Sequence, residues 1–113
     1  MNFQEVEKSK AISIAQIVEY VPNSVVIKTI IKRTTGCVKI VSIDAGETLT
    51  EKISPFDCFI QVIEGAAEII IDNTPYNVQT GEGIVVPAHS HNTIKANVRF
   101  KMLSTTIKSG YED

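Results

Sequence analysis

With 113 residues, 43% hydrophobic and 21% charged, the chain has room for one domain with one core of its own. This composition excludes intrinsic disorder, which needs low hydrophobicity and high net charge. A formal net charge of −2 with no basic run excludes the electrostatic footprint of a nucleic-acid or anionic-membrane binder.

From the N-terminus, Met1-Asn2-Phe3-Gln4-Glu5-Val6-Glu7 lacks the basic n-region of a secretory leader. The first apolar stretch, Ala11 to Val21, is broken by Ser13, Gln16 and Glu19, and no run approaches the ~20 apolar residues of a membrane helix. The expected location is the cytoplasm, with neither membrane nor nucleic acid as partner. Ala11 to Tyr20 suits one short helix or a strand equally well. Beyond it, β-branched residues dominate. Val25-Val26-Ile27 with Ile30-Ile31, residues 37–43 and residues 59–63 form three extended stretches. Ala67, Ile69 and Ile71 alternate with Glu68 and Asp72, and Val98, Phe100 and Met102 alternate with Arg99 and Lys101. Such period-2 patterns put one set of side chains inward and the other toward water. Thr34-Thr35-Gly36, Asp44-Ala45-Gly46, Asp72-Asn73-Thr74-Pro75 and Thr80-Gly81-Glu82-Gly83 are the expected turns. The pattern predicts a single all-β domain over 1–113, with flexible ends at 1–10 and 109–113. Cys37 and Cys58 are too few for a disulfide scaffold and are expected as reduced, buried thiols.

Two glycine-anchored blocks carry the most information. One runs from Gly46 to Gly65 and includes Lys52, Ser54, Pro55-Phe56-Asp57 and Cys58. The other begins Gly81-Glu82-Gly83-Ile84-Val85-Val86-Pro87-Ala88-His89-Ser90-His91-Asn92. Together they resemble the two motifs of the cupin family, in particular the small stand-alone bacterial cupins. Gly46, Gly65, Gly81 and Pro87 fall at their motif positions without a gap. The resemblance covers about residues 18–108 and implies that this core is a double-stranded β-helix, or jelly-roll, barrel.

In that family three histidines and a glutamate point into the barrel and hold a metal. Carried over residue by residue, those positions are Lys52, Ser54, Cys58 and Asn92, so the resemblance implies a barrel with the metal ligands substituted and no metal cofactor. A protonated lysine repels a cation, and one thiolate is not a site. The second motif's glycine is His89 and its final asparagine is Ala96. His89 and His91, the only histidines, have the parity opposite to Asn92 and are expected outside or at the rim. Drawing His91 inside requires a one-residue slip or a bulge after Pro87.

The candidate ligand pocket is therefore Lys52 and Ser54 on one strand, Cys58, Ile60 and Val62 on the next, and Asn92 and Ile94 from the second block, with His89 and His91 as further candidates. Lys52 is expected either to meet the carboxylate of a small acid, or to bend to the rim or pair with Glu51 or Asp57. No residue qualifies as catalytic. Two functions follow: a non-catalytic small-molecule-binding or structural barrel, or, alternatively, a metal-dependent enzyme of isomerase, dioxygenase or decarboxylase type rearranged around His89 and His91. The first is favoured, because all four ligand positions are substituted at once. The apolar residues Ile12, Ile14, Ile17 and Val18 exceed what one small barrel requires and predict a two-fold homodimer to which this segment contributes.

Overall fold

The computed structural model describes residues 5–111. The expected absence of a leader at residues 1–4 and the expected flexibility of 1–4 and 112–113 lie outside the described residues. Nine strands are present among the described residues: β1 Val25–Arg33, β2 Gly36–Ile43, β3 Thr48–Glu51, β4 Asp57–Glu64, β5 Ala66–Ile71, β6 Thr74–Gln79, β7 Gly83–Val86, β8 Asn92–Lys95 and β9 Phe100–Ile107. They form two antiparallel sheets, ordered β1-β2-β9-β4-β7 and β3-β8-β5-β6. This is an all-β jelly roll, and the turns fall where glycine, asparagine and proline mark them. At the β5–β6 hairpin, Asp72 and Asn73 have φ of 48° and 70°, the paired left-handed geometry that matches a two-residue loop to strand twist.

Between the sheets lies one hydrophobic core. Ile43 and Met102 from the larger sheet meet Ile69 and Ile94 from the smaller, around Phe100, which is 0% exposed. The inward face follows the period-2 pattern, so Val41, Ile43, Ile60, Val62, Ala67, Ile69 and Met102 are all buried.

Residues 11–20 form neither a helix nor a strand; they are a turn-rich segment. The side chains interrupting the apolar run explain this, since only Val18 is fully buried, at 3% exposure, while Ile12, Ile14 and Ile17 are half-buried. The segment lies across the outer face of the larger sheet. Ser42 Oγ donates to Glu19 O at 2.7 Å, and Lys101 Nζ donates to Ala15 O. Ile40 and Ser42, which point away from the core, are buried in consequence. At least part of the apolar surplus is thus used on the chain's own barrel.

This covering overturns one simple alternation. Lys101, expected toward water, is 8% exposed, and Val98, expected inward, is 52% exposed because it precedes β9. The Lys101 stem is covered while its ammonium reaches a backbone carbonyl and stands 4.8 Å from the centre of the Tyr20 ring. Arg99 packs on the same ring at 4.6 Å, and Tyr20 OH donates to Glu64 Oε2 at 2.6 Å. Burial, then the hydrogen bond and the negative charge of Glu64, hold the Tyr20 phenol well above its ordinary value, with Arg99 opposing. A proton held more tightly in the folded state stabilises the fold fully below the unfolded pKa of 10.0, and this contribution is lost as pH rises above it. In urea titrations from about pH 8 to about pH 11, the parent should therefore lose stability relative to Tyr20→Phe on the alkaline side only.

Both ends of the described chain make contacts. Ile30 falls at a register shift in β1, and its carbonyl accepts a hydrogen bond from Val6 N at 3.1 Å. Glu5 pairs with Arg33 at 3.2 Å. Tyr111 OH accepts from Asp57 N at 2.7 Å and donates to Ile107 O at 2.5 Å.

Candidate functional site

The barrel opens at one end into a cavity of about 140 Å³. Its walls come from inward positions of both sheets: Lys39 and Val41 on β2, Leu49 and Glu51 on β3, Cys58 and Ile60 on β4, Val86 on β7, Asn92 on β8, and Met102, Ser104 and Thr106 on β9. The loop after β3 adds Lys52, Ser54 and Phe56, and the turn after β7 adds Pro87 and Ser90.

Lys52, Ser54, Cys58 and Asn92 therefore line one cavity, as gapless counting requires. Lys52 and Ser54 are not on a strand, however, since β3 ends at Glu51 and both belong to the loop leading into β4. Two other expectations are corrected by depth. Val62 and Ile94 do not line the cavity; they belong to the sealed core below it. Val62 pairs with Met102 one layer further from the mouth than Ile60, and Ile94 pairs with both Ile69 and Leu49.

His89 and His91 do not line the cavity either, and both are exposed. The turn carrying them is held from three sides. Ala88 N donates to Asp57 Oδ1 at 2.8 Å, His89 N donates to Ser54 O at 2.7 Å, and His91 N donates to Asp72 Oδ1 at 2.9 Å. His89 itself adopts a φ of 66°. β8 then starts at Asn92, paired with Glu51, so no register slip turns His91 inward. Within the same turn, buried Ser90 donates from Oγ to Pro87 O at 2.6 Å.

Cys58 is half-buried, not buried as expected, because it borders the cavity. Its Sγ lies 3.1 Å from Ser104 Oγ. Cys37 is buried, and both thiols are free. Lys52 is exposed at the rim and makes no ion pair or hydrogen bond to Glu51, Asp57 or any other described residue.

The set does not fit the metal that the motif resemblance implies for the family. Lys52 brings a positive charge, Asn92 brings a neutral amide, and Ser54 Oγ already accepts from Phe56 N at 3.1 Å. No group of three or more His, Cys, Asp or Glu side chains is placed to hold a metal ion among the described residues. The cavity offers space and polar groups for a small molecule. It joins a hydrocarbon floor to a polar mouth, the usual make-up of a small-molecule site.

Several wall residues escaped sequence reasoning: Lys39, Glu51, Phe56, Ser90, Ser104 and Thr106. A usable signal existed for three of them. Ser104 and Thr106 continue the inward parity of Phe100 and Met102, and Lys39 lies between Cys37 and Val41 on the inward parity of β2. A charged residue on an inward parity marks the place where a barrel opens to water.

No helix among the described residues is long and apolar enough to cross a membrane. No protein-family model matches the chain. Over 55 residues it is 31% identical to Protein SchB of Streptomyces halstedii, a match covering 48% of this chain and only 40% of that protein. Among solved structures it overlays a conserved protein of unknown function from Streptococcus pyogenes with a TM-score of 0.88 and 27% identity, over 97% of this chain and 96% of that one. It overlays a cupin 2 conserved barrel domain protein from Leptotrichia buccalis with a TM-score of 0.80 and 29% identity, over 83% of this chain and 46% of that one. The glycine and proline frame predicted this barrel and the strand order reproduces it, and these structural neighbours show that the chain has the fold of the cupin barrels.

Proposed function

We propose that this chain is a non-catalytic cupin that binds a small molecule in the open end of its barrel, in the cytoplasm and without the family's metal. One observation carries the reading. The four positions where relatives place three imidazoles and a carboxylate are gathered on one cavity, yet they supply an ammonium, a hydroxyl, a thiol and an amide. These groups recognise a ligand by charge and hydrogen bonding; they do not make a Lewis-acid centre. Two free cysteines fit a reducing compartment.

The rearranged enzyme has less support, since His89 and His91 are exposed on a turn away from the cavity wall. Metal analysis of protein purified without an affinity tag separates the two readings. Less than about 0.1 equivalents of zinc, nickel, manganese and iron is the expected result, and near-stoichiometric metal would overturn the proposal.

A further inference from the structure

The cavity changes polarity along its depth, and it does so on three hydrogen-bonded strands together. On β2, buried Val41 is followed toward the mouth by exposed Lys39; on β9, buried Met102 is followed by half-buried Ser104 and Thr106; on β4, buried Ile60 is followed by half-buried Cys58. Register stacks these residues in layers. Val41 lies opposite Met102 in the deepest layer, Ser104 lies between Lys39 and Ile60 in the next, and Cys58 lies opposite Thr106 nearest the mouth. The floor is hydrocarbon and the mouth is polar, with Lys39, Lys52 and Glu51 as its charged groups. Neither lysine has a hydrogen bond or ion pair with another described residue.

We propose that the cavity takes a small monocarboxylate, apolar end first, with the carboxylate held at the mouth by Lys52 and Lys39. This deepens the small-molecule reading and rests on it. Size sets the first limit. At about 140 Å³ the cavity is close to the volume of an apolar cavity that holds benzene, so its guest has about six to nine non-hydrogen atoms. Charge sets the second limit. Two ammonium groups against one carboxylate favour an anion at the mouth, and an N⁺–H···O⁻ bond is stronger than a neutral one. Placement of the charge sets the third. A second anionic group at the far end of the guest would be driven against Val41 and Met102, where no charged side chain compensates its desolvation. Dicarboxylates and long phosphorylated molecules are disfavoured on that ground.

The test uses the full chain at low salt, with benzoate and its neutral isostere benzamide as probes, by calorimetry and by nuclear Overhauser contacts. Benzoate should bind the parent more tightly than benzamide, and its ring protons should contact the Met102 and Ile60 methyls. Lys39→Met with Lys52→Met should weaken benzoate at least about tenfold and benzamide less than about threefold. Both lysines are exposed, so the double variant is expected to fold. Benzamide binding as tightly as benzoate, or benzoate unaffected by the double substitution, would overturn the carboxylate assignment and leave the small-molecule cavity standing. If neither probe binds or contacts Met102 or Ile60, the cavity is not a site for a guest of this size, and the underlying reading falls too.

Discussion

Gly65→Val should destabilise the barrel by about 3 kcal/mol or more, from two costs that the structure separates. Gly65 joins β4 to β5 at a φ of +86°, a conformation that costs an L side chain about 1–2 kcal/mol. A Cβ there would also stand 2.5 Å from Arg99 O and 2.9 Å from Phe100 Cβ. Neither neighbour can retreat. Arg99 O is backbone, Phe100 is 0% exposed at the centre of the core, and the Gly65 carbonyl is itself held by Thr80 Oγ1 at 2.8 Å. Gly81 is the internal control. Its φ is +88°, but an added Cβ meets nothing within 4 Å, so Gly81→Ala should cost only about 1 kcal/mol. Urea unfolding of Gly65→Ala, Gly65→Val and Gly81→Ala measures the difference. Equal losses for the two alanine variants would mean that the close approach of the β4–β5 junction to Phe100 is incorrect.

Refitting the cavity for metal should give a variant that takes up about one equivalent of zinc or nickel where the parent, on the proposed reading, takes up none. The combined substitution Lys52→His, Ser54→His, Cys58→Glu and Asn92→His replaces an ammonium, a hydroxyl, a lone thiol and an amide with three imidazoles and a carboxylate around the same cavity. Dissociation constants in the micromolar range or tighter are expected by equilibrium dialysis, with proton release on binding. Adding His89→Ala and His91→Ala should not change the uptake, because those imidazoles are exposed on the far side of the turn. A companion variant that keeps Cys58 and carries only the three histidines guards against harm to β4, whose Cys58 thiol lies against Ser104. A folded variant that takes up no metal, or whose uptake depends on His89 and His91, would show that the four positions do not share one centre.

The strand framework was legible because each cue is local. β-Branched runs, period-2 alternation and turn residues act within a few positions, and they place β1, β2, β4, β5 and the four main turns close to their observed sites. The resemblance of the glycine frame to the cupin motifs also pointed to positions 52, 54, 58 and 92, which line one cavity although 52 and 54 lie in a loop and not on a strand. Depth was not legible. Val62 and Ile60 share a face and an apolar character, yet only Ile60 reaches the cavity, because the lining depends on where the opposite sheet closes. Lys101 shows the same limit on the outer face. Its alternation points it toward water, and only the passage of residues 11–20 over β2 and β9 buries it.

By itself, then, the order of residues determined which segments are strands, which positions need glycine and which chemical groups stand where metal ligands would be. The tertiary structure alone decided that these groups meet at an open mouth, that an apolar floor stops short of Val62 and Ile94, and that the two histidines face away. The physical reason is range. Backbone preference and side-chain parity are fixed by neighbours in sequence, whereas enclosure, depth and access to water arise only when two sheets and a covering segment, distant along the chain, are packed together.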